Sequence, residues 1–357
     1  MNRKLLFGAS LLIAMFTWSV AAAPTPVTVT IMTQNINAGT DLTYAAYGLL
    51  GYIDLPTGVE LTYQEIQAAD IPRRAAMLAA AVAKKKPDLL ALQEVTLWRT
   101  GLTAATATTV IADQLQSLLF ALAASGVPYD IVAVNRVTDI ALPKASGGVL
   151  RYTDQNALLV RADLRPPAFH LSDVHADIFA AVYTLGGLKV PAGWISAMVH
   201  SEDRHFRLLT THLQSAMAGD PSATTVQLAQ AQELLGEARH STEPVVIVGD
   251  FNSDAILGVN GPGPDNTATA ATIQAAGYVD AWSAASGPGQ TWPLYLQDQF
   301  PPPPFFAPSV PFERVDLIFS HGLHVLGVER VLAPGPSVMT WPYYASDHAG
   351  VLASFQF

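Results

Sequence analysis

The sequence predicts an α/β or layered α+β fold, and three observations carry that reading. Short apolar, β-branched runs alternate with alanine-rich stretches of helical period. Half of the 357 residues are apolar, enough for a sizeable core. Several apolar runs stop abruptly on Asn, Asp, Glu or His, which places chemistry-bearing side chains at strand ends.

The chain opens with Arg3 and Lys4, an apolar run from Leu5 to Val20, and small residues before Pro24. This pattern is that of an export signal, residues 1–22, with cleavage after Ala22. The apolar run is shorter than the ~20 residues of a spanning helix, so no retained anchor is expected. Residues 23–357 then form one domain, exported to the periplasm or beyond, because no Gly/Ser linker or internal repeat divides them.

Strands are expected at Val27 to Gln34, Leu89 to Gln93, Tyr129 to Val134, Ala157 to Val160, Trp194 to Val199, Phe206 to His212, Val245 to Val248, Val315 to Phe319, His324 to Val328 and Val351 to Phe355. Helices are expected at Arg73 to Lys86, Thr103 to Ala124, Ala223 to Arg239 and Ala268 to Ala275. Lys84, Lys85 and Lys86 close the first helix, where positive charge suits the helix dipole. Two long stretches read as irregular, Gly39 to Gly58 and Gln290 to Glu313, the second rich in aromatic residues and proline.

The formal net charge is -10, and loss of residues 1–22 removes two basic groups and no acidic ones, leaving 17 - 29 = -12. Such a chain lacks the basic footprint of a tight nucleic-acid or anionic-membrane binder. It has no cysteine, so neither disulfides nor thiolate chemistry contribute. An acidic cluster can still hold a phosphate if a divalent ion neutralises it.

The strand ends carry the chemistry. Asn35 and Asn37 follow the first strand, Glu94 ends "LLALQE", His212 ends "LLTTH", Asp250 and Asn252 follow "VVIV", Asp316 sits in "RVDLIF", and Asp347 and His348 in "ASDHAG". Singly, such residues are more often turn formers or caps. Together on one rim they offer carboxylates, amides and two histidines, a set suited to Mg²⁺ or Mn²⁺ and to phosphoester hydrolysis. The other histidines, His170, His175, His200, His205, His240, His321 and His324, read as structural or surface groups.

The ordered series "QNIN", "LQEV", "NALLV", "THL", "GDFN", "ERVDLIF" and "SDH" resembles the endonuclease/exonuclease/phosphatase superfamily over essentially the whole mature chain. The resemblance implies a DNase-I-like four-layer α/β/β/α sandwich of two mostly antiparallel sheets. It also implies a divalent-metal-dependent hydrolase of phosphodiesters. By the same resemblance Glu94 would be the principal metal ligand, with Asn35 and Asp347 in the metal site and Asn37 where some members carry Asp. Asp250 would orient or deprotonate water, Asn252 would contact phosphate, His348 would transfer a proton with Asp316 holding its ring, and His212 would be a second acid or phosphate contact. Asn156 and Arg314 are weaker substrate-contact candidates. A secreted nuclease is the leading expectation. The alternatives are a sphingomyelinase-like or other lipid phosphodiesterase acting on a phospholipid head group, a phosphomonoesterase on a small polyol phosphate, and a catalytically silent binding protein. No protein partner and no stable membrane anchor are expected.

Overall fold

The computed structural model describes residues 27–217, 220–261, 263–298, 305–337 and 340–356. The expected export signal, residues 1–22, lies outside the described residues, as does the proline run 301–304.

Strict period-two alternation builds the layers. In Thr28–Asn35 the side chains of Val29 and Ile31 face one way and Met32 the other; in Leu89–Gln93, Leu89 and Ala91 oppose Leu90 and Leu92. Both faces of Leu89–Gln93 are buried, so Leu89 to Leu92 is continuously apolar, while Thr28–Asn35 buries Thr33, Gln34 and Asn35 where it approaches the site. One eight-stranded sheet runs in the order His324–Val331, Gly350–Gln356, Thr28–Asn35, Leu89–Gln93, Val149–Arg161, Leu97–Gly101, Thr109–Asp113, with Tyr129–Pro143 also paired to Val149–Arg161. A six-stranded sheet runs Val279–Asp280, Asp316–His321, Val245–Asp250, Arg204–His212, Gly193–Ser201, Phe169–Ile178. Two pairings are parallel, Thr28–Asn35 with Leu89–Gln93 and Arg204–His212 with Val245–Asp250; the other pairings within these two sheets are antiparallel.

The sheets pack face to face through Ile31, Ala91, Leu158, Ile195, Leu208 and Val246. Helices Ile71–Lys85 and Gln114–Ala124 cover the outer face of the first sheet through Leu78, Val82, Leu115 and Leu118. Helices Pro221–Ala238 and Thr269–Ala275 cover the second through Leu234, Leu235 and Ile273. This is the four-layer α/β/β/α sandwich that the family resemblance implies.

Two local expectations are corrected. Thr103 to Ala124 is not one helix: its β-branched first half forms the strand Thr109–Asp113, and Asp113 then caps Gln114–Ala124 by accepting from the Gln116 N–H at 3.0 Å. The stretch Gly39 to Gly58 is not irregular either. It holds the helix Thr43–Leu49 and the start of Leu55–Ala68, where Asp54 is the cap and Pro56 stands in the first turn. Gly58 is there for contact rather than as a breaker, since a Cβ at that position would lie 2.3 Å from the Tyr44 carbonyl oxygen.

In the late aromatic stretch Tyr295–Asp298 pairs antiparallel with Phe305–Pro308. Tyr295 is buried, and the Phe306 ring stacks on Trp341 with centroids 3.6 Å apart, so these aromatics are packing elements.

Candidate active site

Sheet register alone gathers half of the site. His212 is the parallel register partner of Asp250, and Asp250 is the antiparallel partner of Asp316, so three functional side chains stand on adjacent strands at one rim. The approach of these strands depends on Gly249: its φ is +151°, and a Cβ there would lie 2.0 Å from the Thr211 carbonyl oxygen. The first sheet brings Asn35 beside Gln93, one residue before Glu94, and the adjacent strand Gly350–Gln356 begins two residues after His348.

Asp250 is the hub. Its Oδ1 accepts from the Asn252 N–H at 2.9 Å and its Oδ2 from Asn35 Nδ2 at 2.9 Å. The same Oδ2 lies 3.7 Å from His212 Nε2 and 3.8 Å from His348 Nδ1. His348 Nδ1 donates to Asp316 Oδ2 at 2.9 Å, which leaves Nε2 as the nitrogen free for substrate. Burial opposes charge on the His348 ring, but the carboxylates of Asp316, Asp347 and Asp250 outweigh it and hold the ring well above its ordinary value. Burial pushes Asp316 up as well, with His348 pulling the other way. The pair therefore keeps a proton at a fixed position.

Asn35 is a strut. Its Nδ2 donates to Glu94 Oε1 at 2.8 Å and to Asp250, while its Oδ1 accepts from the Asn37 N–H at 2.8 Å. In this orientation it braces two carboxylates, a different task from the metal ligation expected of it. Glu94 Oε2 accepts from the Ala38 N–H at 2.7 Å. Asn252 is anchored by Nδ2 donating to the Leu213 carbonyl at 2.9 Å.

These groups open on a cleft of about 330 Å³ that Asn37, Glu94, Asn156, His212, Asp250, Asn252, Asp347 and His348 all line. Asn37 turns its Oδ1 to the Gly39 N–H at 2.9 Å, and Asn156 donates to the Gly193 carbonyl at 3.3 Å. Arg314 is a correction: its guanidinium pairs with Asp280 at 2.7 Å and donates to the Pro288 carbonyl, so it buttresses the strand before Asp316 and does not line the cleft.

Other members of the site were not evident in the sequence. Asp154, two residues before Asn156 on the same strand face, lines the cleft and is pushed up to about 7, chiefly by burial, with the Glu94 charge adding. Asp265 is pushed up to about 8 by burial and by Glu313 and Asp250. Strand alternation could have suggested Asp154; Asp265 lies in a loop with no motif. Trp292 lines the cleft with its ring 6.3 Å from that of His348. Arg74, wholly missed, is buried in the helix Ile71–Lys85 and donates to the carbonyls of Ile36 at 2.6 Å and Ala345 at 2.7 Å, tying together the loops that carry Asn37 and His348.

Among the described residues no lysine or arginine lines this cleft, whereas Asp41, Glu94, Asp154, Asp250, Asp265 and Asp347 do. Oxygen donors in such excess fit a hard divalent cation. Asp250, Asp316 and His348 bring possible ligand atoms within 4.8 Å of one another, but Nδ1 of His348 is committed to Asp316. Glu94, with Asp154 and Asp347 on the same cleft, is the better-placed carboxylate to hold an ion.

Residues 32–348 match the model of the Endonuclease/Exonuclease/phosphatase family. No curated protein matches the chain in sequence. Among solved structures the chain is similar to an endonuclease/exonuclease/phosphatase from Beutenbergia cavernae, with 20% identity over 92% of this chain and 72% of that one and a TM-score of 0.58. It is similar to a mannosyl-6-phosphatase of Bacteroides thetaiotaomicron, with 15% identity, 92% and 100% coverage and a TM-score of 0.51. It is also similar to D. rerio TDP2 complexed with single strand DNA product, with 15% identity, 92% and 98% coverage and a TM-score of 0.50. At these identities the structural likeness shows the fold.

Proposed function

This chain belongs to the endonuclease/exonuclease/phosphatase family and is a metal-dependent phosphoester hydrolase, and we propose that it attacks a phosphodiester with water in the presence of Mg²⁺ or Mn²⁺. The observation that carries this reading is Asp250 Oδ2, braced by Asn35 and set 3.7 Å and 3.8 Å from two imidazoles. Asp250 takes the proton of the attacking water. His348, kept protonated by Asp316, gives its Nε2 proton to the leaving oxygen as the phosphorus–oxygen bond breaks. His212 donates to a phosphoryl oxygen. Glu94, with Asp154 and Asp347 on the same cleft, would hold the divalent ion, which would supply charge neutralisation for the phosphate. Each residue acts from a strand end or from a loop tied by buried hydrogen bonds, so little reorganisation is needed at the moment of reaction.

The acidic lining favours a small diester with a single charge over a dianionic monoester or a long polyanion. The nuclease of the sequence analysis is the second reading, favoured by the fold shared with D. rerio TDP2, which was solved with a single-stranded DNA product. Incubation of the protein with bis-p-nitrophenyl phosphate, p-nitrophenyl phosphate and supercoiled plasmid in Mn²⁺ separates the readings. Diester turnover abolished by chelator, with little monoester turnover or nicking, supports the first; nicking at comparable efficiency supports the second. The charged start and apolar run of residues 1–22 support export, which fractionation of cells making the full chain tests.

A further inference from the structure

Beside the cleft lies a second cavity of about 120 Å³ with an almost wholly apolar wall, including Ala46, Val59, Trp98, Ile140, Leu185 and Leu188. Leu42, Tyr152 and Val190 line both cavities, so the two are neighbours through a shared partition. It is enclosed by the helix pair Thr43–Leu49 and Leu55–Ala68, the long strands Tyr129–Pro143 and Val149–Arg161, Trp98 of the strand Leu97–Gly101, and the hairpin Tyr183–Leu185 and Leu188–Val190.

The wall is built closely. Gly186, at the hairpin turn with φ +55°, would place a Cβ 2.3 Å from the Leu49 carbonyl oxygen, so the turn presses directly on the end of the helix. Leu42 holds a left-handed φ of +63°, uncommon for leucine, with its N–H donating to Thr40 Oγ1 at 2.9 Å. That conformation sets an apolar side chain at the partition. The polar groups of the wall are already engaged: Thr62 Oγ1 accepts from the Ala45 N–H at 3.1 Å, Thr138 Oγ1 donates to the Pro191 carbonyl at 3.3 Å, and Trp98 Nε1 donates to the Ala38 carbonyl at 2.7 Å.

We infer that this cavity seats an aliphatic arm of the phosphoester substrate while the phosphorus lies in the cleft. The inference rests on the phosphodiester reading and deepens it. A nucleobase or sugar in the same place would bury polar groups without partners, whereas methylenes gain from leaving water. At ~30 Å³ for a group the size of a water molecule, a cavity of about 120 Å³ holds about four methylenes.

The test uses methyl, butyl and octyl p-nitrophenyl phosphates in Mn²⁺, and calorimetric binding of methyl, butyl and octyl phosphate to the same protein. In the diesters water forms the new phosphorus–oxygen bond, p-nitrophenolate leaves, and the alkyl phosphate keeps the chain. Each methylene up to about four is expected to raise kcat/KM and tighten Kd about threefold to fourfold, with little gain from butyl to octyl. Ala46→Phe, which fills the cavity, is expected to bring the butyl-to-methyl ratio towards one in both measurements; the methyl compound is the internal reference should the variant be less stable. Equal values for methyl and butyl in wild type, in both measurements, overturn the inference even if the methyl ester is hydrolysed. Chain-dependent binding without hydrolysis sustains the apolar site and contradicts the phosphodiesterase reading.

Discussion

Asp316 holds His348 by a 2.9 Å hydrogen bond to Nδ1, and that nitrogen stands 3.8 Å from Asp250, the register partner of Asp316 on the neighbouring strand. A buried imidazole between two buried carboxylates is a site for keeping a proton, and pH dependence is its direct consequence. The folded His348 value lies above the unfolded one, so its contribution to stability is complete below about pH 6.5 and is lost as pH rises through the folded value. Activity that needs the ring proton should fall along the same alkaline limb. Asp316→Asn removes the charge that holds the proton; kcat is expected to drop about 10²- to 10⁴-fold and the alkaline limb of the pH–rate profile to move to lower pH. An unmoved limb would assign that limb to another group.

The strut role of Asn35 is separable from ligation. Asn35→Ala leaves Glu94 and Asp250 without a shared donor and is expected to weaken metal activation about 10- to 100-fold. Titrating activity against Mn²⁺ reads this as a rightward shift of the midpoint, together with a lower plateau from the loosened Asp250.

Glu65 lies fully buried behind the cleft, with Oε2 accepting from Thr40 Oγ1 at 2.5 Å and Oε1 without a partner. Burial, with the Asp41 charge adding, pushes it up to about 8. Its folded value is above its unfolded one, so the native state holds the extra proton; stability is greatest below about pH 4.5 and declines as pH rises through about 8. Glu65→Gln keeps the shape and the Thr40 contact without the charge. The variant should be more stable than wild type at pH 9, by a few kcal/mol at most, and no more stable at pH 5, which thermal melts across pH will show.

How far the site could be read from the sequence follows from which residues period-two alternation and strand ends expose. The strands ending at Asn35, Gln93, His212 and Asp250 were legible because several runs that each stop on a polar residue carry together a meaning that none carries alone. Their expected meeting on one rim was legible too, but the register that pairs His212 with Asp250 and Asp250 with Asp316 was not, because it depends on strand pairing within the sheet. The Thr103 to Ala124 stretch misled because its alanines suit a helix while Thr109, Val110 and Ile111 form an edge strand. Arg314 misled because a spacing of two residues suggests the same face as Asp316, whereas Arg314 precedes the strand Asp316–His321 and its guanidinium goes to Asp280. Arg74 and Asp265 act through tertiary contacts that leave no local signature.

Gly249 is where backbone geometry and chemistry meet. Gly249→Ala sets a methyl group against the Thr211 carbonyl from a conformation L residues rarely adopt. A loss of about 2–4 kcal/mol is expected in denaturant unfolding. Activity should fall with it, because His212 and Asp250 flank the displaced pair.

The measurement that bears most directly on the central claim is the kcat/KM of wild type and Asp250→Asn on bis-p-nitrophenyl phosphate in Mn²⁺, with unfolding of both proteins followed in parallel. The account predicts a folded variant at least about 100-fold slower, because the amide keeps the Asn252 contact but cannot take the proton of water. A folded variant at the wild-type rate would contradict the placing of Asp250 at the reacting centre.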